Sequence, residues 1–258
     1  MIASPQNKRI KYLTTLRRRR TRDAEAVTLV EGLAELRRAS DAGAVIREVY
    51  FDPSVVDEVD LPPAGTTFET SPEALAKAAM RESTEGLVGV VEQPSTELAH
   101  LHLPSEPLLL VVESVEKPGN LGAMLRTADA AGADAVLVAD PRTDVWNPNA
   151  VRASLGCVFT VPIGVGSTDD VLTFVGSHGV RLCATTPDTS LDLFDADLTG
   201  ALAIAVGAEH RGLSGAFLRA AASPVRIPMA GSVDSLNASV SAAIALFEAV
   251  RQRRDVGP

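Results

Sequence analysis

The chain has 258 residues, 46% of them hydrophobic and 22% charged, a balance typical of globular proteins that excludes wholesale disorder. Its 33 acidic residues outnumber its 24 basic ones, so the formal net charge is −9 at pH 7. The longest apolar runs, residues 108–112 and 201–206, are far shorter than the roughly 20 residues of a membrane helix, so we expect no membrane partner. The N-terminus lacks the apolar core of a signal peptide, which predicts a cytoplasmic protein.

Metal and nucleotide sites of the common kinds are not expected. The two cysteines, Cys157 and Cys183, have no CxxC partner, and His100 and His102 have a spacing unsuited to a helical metal pair. The sequence contains neither GxxxxGK[ST] nor GxGxxG before a helix, which excludes a P-loop and an ordinary dinucleotide fingerprint. We therefore predict a protein without a metal ion.

Positive charge is concentrated at the N-terminus. Residues 1–22 carry eight bases and no acid, whereas all 33 acids and the other 16 bases lie after them. A basic arm on an acidic body is typical of phosphate-backbone binding, because each base displaces a counterion from a phosphate. The alternative explanation is a solvated helix face. The bases that we assign to nucleic-acid binding are Lys8, Arg9, Lys11, Arg17, Arg18, Arg19 and Arg20.

Apolar periodicity predicts alternating helices and strands before residue 95. The predicted helices span residues 7–20, 32–41 and a segment after Ser71, and the predicted strands span 27–30, 46–51 and 87–91. Pro94, Pro104 and Pro107 then interrupt any regular structure. We therefore place a linker at residues 96–107, between a domain of residues 1–95 and a domain of residues 108–258.

The second domain shows the same alternation with more apolar strands. We predict strands at 108–112, 135–138, 181–184 and 201–206, and helices at 121–131, 168–177, 213–222 and 237–251. Strands that are apolar at every position are typical of a parallel sheet covered by helices on both faces. The predicted fold class is therefore α/β in both domains, with a largely parallel sheet in the second.

Three segments rich in glycine and polar residues lie beside the predicted strands of the second domain: residues 116–128, 206–213 and 227–240. Ligands of α/β sheets bind in the loops at the carboxyl ends of strands. Each segment alone also has an ordinary explanation, with Asn120 and Asn237 as helix caps and Glu209 as a first-turn acid.

Together, the three segments resemble a known set of motifs. They contain NxGAxxRTA, GxExxGL and IPMxGxxxSLNxS in that order, which closely resemble the motifs of the SpoU (TrmH-like) branch of SPOUT methyltransferases. The first domain resembles the L30e-like substrate-binding domain of larger members, through residues 4–11 and the step Val30-Glu31-Gly32. One departure is Ala238, where many members have valine.

The resemblance implies methylation of a ribose 2'-hydroxyl in structured RNA with S-adenosylmethionine as cofactor. It also implies a homodimer and a trefoil knot in the C-terminal domain, an exception to the rule that chains do not thread loops. In this family the arginine that corresponds to Arg126 engages the target phosphate and helps to activate the hydroxyl. A guanidinium keeps its proton at pH 7, so we expect Arg126 to act mainly by orientation and charge.

Further site residues follow from the same resemblance. Asn120, Glu209, Ser235 and Asn237 would complete a polar shell, and we expect Glu209 to orient Arg126 through an ion pair. The residues that we assign to the cofactor are Gly207, Ile227, Leu236, Thr185 and Met229, with Thr186 as the alternative to Thr185.

Two alternatives remain open beside a 23S ribosomal RNA methyltransferase. Family members that act on tRNA often lack a large N-terminal domain, so the first domain favours ribosomal RNA over tRNA. A non-catalytic RNA-binding or ribosome-binding protein could share the fold. The joint presence of Arg126, Glu209, Ser235 and Asn237 argues against that alternative, because simple binding does not require all four.

Overall fold

The computed structural model describes residues 1–80, 85–209, 211–233 and 235–255. The strands of the described residues are β1 (Val27–Glu31), β2 (Ile46–Phe51), β3 (Thr66–Glu69), β4 (Leu87–Glu92), β5 (Leu108–Glu113), β6 (Ala135–Ala139), β7 (Ile163–Gly166), β8 (Arg181–Thr185), β9 (Leu202–Val206) and β10 (Ser223–Val225). The helices are α1 (Lys8–Thr15), α2 (Arg19–Glu25), α3 (Leu33–Asp41), α4 (Pro72–Ala78), α5 (Pro118–Ala131), α6 (Pro148–Ala153), α7 (Thr168–Ser177), α8 (Gly215–Ala220) and α9 (Ala238–Asp255). They form two compact units.

The first unit comprises Met1–Pro94 together with Asp144–Thr160. Its four-stranded sheet has the order β1-β4-β2-β3, with antiparallel pairs at β4 and one parallel pair between β2 and β3. Apolar side chains of α1, α4 and the sheet form its core, including Ile10, Leu13 and Tyr50. This unit is therefore a mixed α/β domain.

The second unit comprises Ser95–Thr143 and Val161–Pro258. Its six-stranded sheet has the order β10-β8-β9-β5-β6-β7, and every neighbouring pair is parallel. All residues of β6 and β9 are buried, because helices cover both faces of a parallel sheet. The predicted fold class is confirmed, and the parallel order brings the carboxyl ends of β5, β8 and β9 to one edge.

The predicted basic helix at 7–20 is wrong in extent, because the chain breaks there into α1 and α2. The guanidinium of Arg22 is buried and donates hydrogen bonds of 2.9 Å to the carbonyl oxygens of Leu16 and Arg17. These contacts satisfy carbonyls after the end of α1, and Arg18 takes an extended conformation. Burial of one arginine therefore ends the helix that the periodicity predicts.

Four short elements have no counterpart among the predicted ones: β3, α6, β7 and β10. Each lacks the pattern on which a prediction depends. β3 is partly exposed and polar, β7 contains two glycines, β10 has three residues, and α6 has six. The other predicted elements are present, and the predicted bounds of the helix at 168–177 are those of α7, whose capping box at Ser167 and Asp170 marks its start.

Two segments pack differently from the predicted division into a first domain, a linker and a second domain. Leu98, Leu101 and Leu103, from the region expected to be a linker, pack against the core of the second unit. Asp144–Thr160 packs with the first unit instead, where the carbonyl of Trp146 accepts a hydrogen bond of 2.8 Å from Thr28. No helix of the described residues has the length and apolarity needed to cross a membrane.

We expect Asp144→Asn to lower the free energy of unfolding by about 3–5 kcal/mol, because it leaves a buried cation without its counter-charge. Arg22 is 1% exposed, and its guanidinium pairs with the Asp144 carboxylate, whose side chain is 9% exposed. Urea unfolding followed by circular dichroism measures the loss. Arg19→Ala is the control, since Arg19 pairs with Asp23 on an exposed face and its loss costs only about 0.5 kcal/mol. Equal losses in the two variants would contradict the assignment.

Candidate functional site

A cluster of polar side chains forms around Glu209, two residues after Gly207 at the end of β9. The carboxylate pairs with the ammonium of Lys117. It also accepts hydrogen bonds from the amide nitrogens of Asn120 at 2.7 Å and Asn237 at 2.6 Å. These four residues come from all three motif segments. The structure thus brings together three of the five predicted catalytic residues.

Asn120 and Asn237 differ in their helical roles. Helix α5 begins at Pro118, so Asn120 lies inside its first turn and the expectation that it caps the helix is wrong. Its side chain is used instead for Glu209. Asn237 does precede α9, and its amide oxygen accepts a hydrogen bond of 2.9 Å from the backbone N–H of Ser239. Its amide nitrogen remains available to hold Glu209.

The described residues on the two sides of position 210 fold back on each other at the end of β9. The N–H of Gly212 donates to the carbonyl of Ala208 at 2.9 Å, and Gly212 has a φ of +63°. A Cβ on Gly207 would lie 2.0 Å from the carbonyl carbon of Gly212, so no larger residue fits there. Glycine is therefore needed at Gly207 for contact within the turn itself.

A cavity of about 460 Å³ opens at the edge formed by β8 and β9. Its volume lies within the range of about 300–1,000 Å³ that is usual for small-molecule sites. All five residues assigned to the cofactor line it: Thr185, Gly207, Ile227, Met229 and Leu236. Thr185 is held in place by a hydrogen bond of 2.9 Å from its hydroxyl to the carbonyl of Ala205. Ser235 also lines this cavity.

A second cavity, of about 240 Å³, adjoins the first. Asn120, Lys117 and Met124 line it from α5 and the residue before that helix. The two cavities share a wall whose described residues are Gly207, Ala208, Glu209, Arg211 and Ala238. Two adjoining cavities with one common wall can hold two ligands that react with each other.

Arg126 is not part of the cluster. It is exposed on α5, lines neither cavity, and has no hydrogen bond or ion pair with another described residue. The expected ion pair between Glu209 and Arg126 is wrong, because Lys117 lies on the carboxylate instead. Lys117 directly precedes α5 and lies next to Glu209, whereas Arg126 lies about two turns further along the helix.

The comparison with known proteins decides the family. The profile of the SpoU rRNA methylase family matches residues 107–247, more than half of the chain. The chain belongs to the SpoU rRNA methylase family. The profile of the MRM3-like substrate binding domain matches residues 7–89 of the same SpoU chain.

Relatives of this SpoU chain are similar over much of its length. It is 43% identical over 152 residues to the 23S rRNA (guanosine-2'-O-)-methyltransferase RlmB of a Burkholderia species, which covers 58% of this chain and 62% of that protein. It is 36% identical over 178 residues to the 23S rRNA (uridine(2479)-2'-O)-methyltransferase of Streptomyces viridochromogenes, covering 67% and 62%. The chain thus matches somewhat less than two thirds of the length of these relatives.

Solved structures match nearly the whole SpoU chain. An RNA 2'-O ribose methyltransferase has a TM-score of 0.87 at 40% identity, covering 97% of this chain and 98% of that one. An AdoMet-bound rRNA methyltransferase from Sinorhizobium meliloti has a TM-score of 0.88 at 30% identity, with 97% of both chains covered.

Three charged residues of the SpoU chain were not singled out from the sequence. Lys117 and Arg211 line the smaller cavity, and Glu113 is a buried carboxylate at the end of β5. Glu113 accepts hydrogen bonds from the N–H of Ser214 at 2.6 Å and the hydroxyl of Thr168 at 3.0 Å, which fixes the end of the Gly207–Leu213 turn. Its position after five apolar residues is the one signal that could have identified it.

The described part of the SpoU chain favours neither a metal site nor a cysteine nucleophile. Its described residues contain no group of three or more His, Cys, Asp or Glu residues placed to hold a metal ion. Burial raises the pKa of the Cys183 thiol to about 11, so this thiol stays protonated at neutral pH. Cys183 in β8 is therefore a poor candidate for a nucleophile.

The seven bases assigned to nucleic-acid binding divide into two groups in the first unit. Lys8, Lys11, Arg18 and Arg20 are exposed and make no side-chain hydrogen bond or ion pair with another described residue. Arg9, Arg17 and Arg19 already have protein partners: Glu48 and the ring of Phe68, the carbonyls of Lys77 and Ala79, and Asp23, respectively. The first group is the one available to phosphates.

Proposed function

We propose that this chain methylates a ribose 2'-hydroxyl in RNA, with S-adenosylmethionine as the methyl donor and 23S ribosomal RNA as the substrate. The observation that carries the proposal is the pair of adjoining cavities. The larger is lined by the five residues assigned to the cofactor, the smaller by Asn120, and both by Glu209. Transfer of a methyl group requires donor and acceptor sites in direct contact.

The larger cavity suits S-adenosylmethionine. Ile227, Met229 and Leu236 offer apolar surface for an adenosine, while Thr185 and the backbone at Gly207 offer polar atoms at the strand ends. Bound there, the cofactor supplies an activated methyl group. The name of the Sinorhizobium meliloti structure records AdoMet bound to a protein with the same fold.

The polar cluster defines the acceptor side. Glu209 has its carboxylate oxygens engaged by Lys117, Asn120 and Asn237, and it thereby anchors Lys117 and Asn120 on the wall of the smaller cavity. Fixed dipoles at such a site orient an incoming ribose without reorganisation during the reaction. Arg126 is exposed and has no ion pair with another described residue, and we assign it to the phosphate of the target nucleotide.

A homodimer is supported by one face of α9. Val240 and Phe247 are 45% and 48% exposed, and Ile244 lies between them on the same face. The opposite face, with Ala242 and Leu246, is fully buried within the second unit. An apolar stripe at helical spacing on the outside of a helix fits the same stripe of a second copy.

Ribosomal RNA is favoured over tRNA by the first unit. The rRNA methyltransferase structure from Sinorhizobium meliloti matches 97% of this chain, first unit included, and the relatives named above carry 23S rRNA in their names. The match to a structure concerned with 2'-OH methylation of C/U34 on tRNA has a TM-score of 0.53 and covers 58% of this chain.

We place the RNA-binding surface in residues 1–95 and the methyl-transfer site in residues 108–258. The protein would act in the cytoplasm, on RNA, and carry a trefoil knot in its C-terminal domain.

Transfer of labelled methyl from S-adenosylmethionine to RNA transcribed in vitro tests the proposal. We expect labelled methyl in a 23S rRNA transcript and none in a tRNA pool. The labelled transcript should resist alkaline cleavage at one ribose. Label in tRNA alone would reverse the choice of substrate. Binding of 23S rRNA without any transfer would favour the non-catalytic alternative.

We expect the double variant Arg18→Gln/Arg20→Gln to bind 23S rRNA more weakly and with a shallower salt dependence. Each lost phosphate contact reduces the slope of log affinity against log salt by somewhat less than one, so the slope should fall by about 1 to 2. Filter binding between low and moderate salt measures it. The matched control is Arg37→Gln/Arg47→Gln, since both of those arginines already pair with carboxylates. Equal slopes for the double variant and the native chain would make the arm a solvated face.

A further inference from the structure

Arg211 lies on the wall that the two cavities share. Of the described residues on that wall, only Glu209 and Arg211 carry a charge. A group at this position faces both the donor side and the acceptor side of the proposed reaction. Its charge therefore acts where the two ligands meet.

The two charged residues on the shared wall differ in their contacts with other described residues. Glu209 is matched by the ammonium of Lys117 and by two side-chain amides. Arg211 is exposed and has no hydrogen bond or ion pair with another described residue. Since Lys117 compensates the carboxylate, the positive charge of Arg211 remains available for an anionic ligand.

The backbone that directly follows Arg211 is anchored at two points. The N–H of Gly212 donates to the carbonyl of Ala208 at 2.9 Å, and the N–H of Ser214 donates to the buried carboxylate of Glu113 at 2.6 Å. A backbone that is ordered before binding reduces the conformational entropy that a loop loses when its ligand binds. The residues directly after Arg211 are thus ordered before the ligand arrives.

We propose that Arg211 binds a phosphodiester of the RNA strand next to the ribose that is methylated, an inference that rests on the proposed function. A guanidinium presents a planar pair of donors that matches two phosphate oxygens. Arg211 is exposed and also lines the smaller cavity, on the acceptor side, so its guanidinium is accessible to a ligand that arrives from solvent, as an RNA strand does. Arg211 is thus a second phosphate-binding arginine, separate from Arg126.

The test compares Arg211→Ala and Arg211→Lys with the native chain. Filter binding to a 23S rRNA transcript should show affinity about tenfold weaker for Arg211→Ala and a salt slope lower by about one. Arg211→Lys should recover the slope and only part of the affinity, since it keeps the charge and loses the fork. The dissociation constant for S-adenosylmethionine, measured by calorimetry, should not change. In turnover, KM for RNA should rise by a larger factor than kcat falls.

Arg254→Ala is the matched control. Arg254 is exposed near the end of α9, about 24 Å along the helix from the residues at the site. RNA binding by Arg211→Ala that equals that of the native chain or of Arg254→Ala would overturn the inference, as would weaker cofactor binding with unchanged RNA binding. Failure of the proposed function is a separate result, because it is the native chain that would then transfer no methyl group.

Discussion

Arg126→Ala is expected to lower the rate of methyl transfer by a factor of about 10²–10⁴, the usual contribution of a group that assists proton transfer and orientation. Arg126 lies on α5, exposed and without a partner among the described residues. It lines neither cavity, so the affinity for S-adenosylmethionine should change little. Single-turnover transfer to a 23S rRNA transcript, beside cofactor titration, measures both quantities.

Two further variants sharpen this expectation. Arg126→Lys should recover little activity, because an ammonium retains the charge and not the planar fork that orients a phosphate. Arg142→Ala is a control from the same unit, since Arg142 is also exposed and lines neither cavity. Near-native turnover in Arg126→Ala would remove Arg126 from the site and leave the Glu209 cluster to carry the chemistry.

Gly207→Ala is expected to weaken cofactor binding and to lower activity by roughly 10²-fold, because an error of about 1 Å in a site costs that much. The added Cβ would lie 2.0 Å from the carbonyl carbon of Gly212 and 2.3 Å from the backbone nitrogen of Leu213. Neither backbone atom can rotate away, so the turn must shift. Both cavities use this wall, and both would change shape.

Gly231→Ala provides the comparison for Gly207→Ala. Gly231 lies in the third motif segment, and a Cβ built on it meets no atom within 4 Å. Calorimetric titration with S-adenosylmethionine should therefore give native affinity for Gly231→Ala and a large loss for Gly207→Ala. The circular dichroism spectrum should stay native in both. Native cofactor affinity in Gly207→Ala would show that the turn does not form the cofactor wall.

The sequence by itself determined the fold class and the region of the site. Buried parallel strands such as β5, β6 and β9 are apolar at nearly every position, and that pattern is visible without a structure. Helix α7 was delimited because its cap lies in the adjacent residues. The three motif segments follow or approach strand ends, so their convergence at one edge of a parallel sheet was predictable from local order alone.

Only the tertiary structure decided which side chains meet. The partner of Glu209 is Lys117, 92 positions away, and the partner of Arg22 is Asp144, 122 positions away. Neither pairing leaves a periodic trace in the sequence, because an ion pair depends on where two distant elements pack. The same reason explains the split of the basic helix and the packing of Asp144–Thr160 with the first unit. Local patterns reflect burial and hydrogen bonding near each residue, whereas the contacts of a site depend on how separate elements come together.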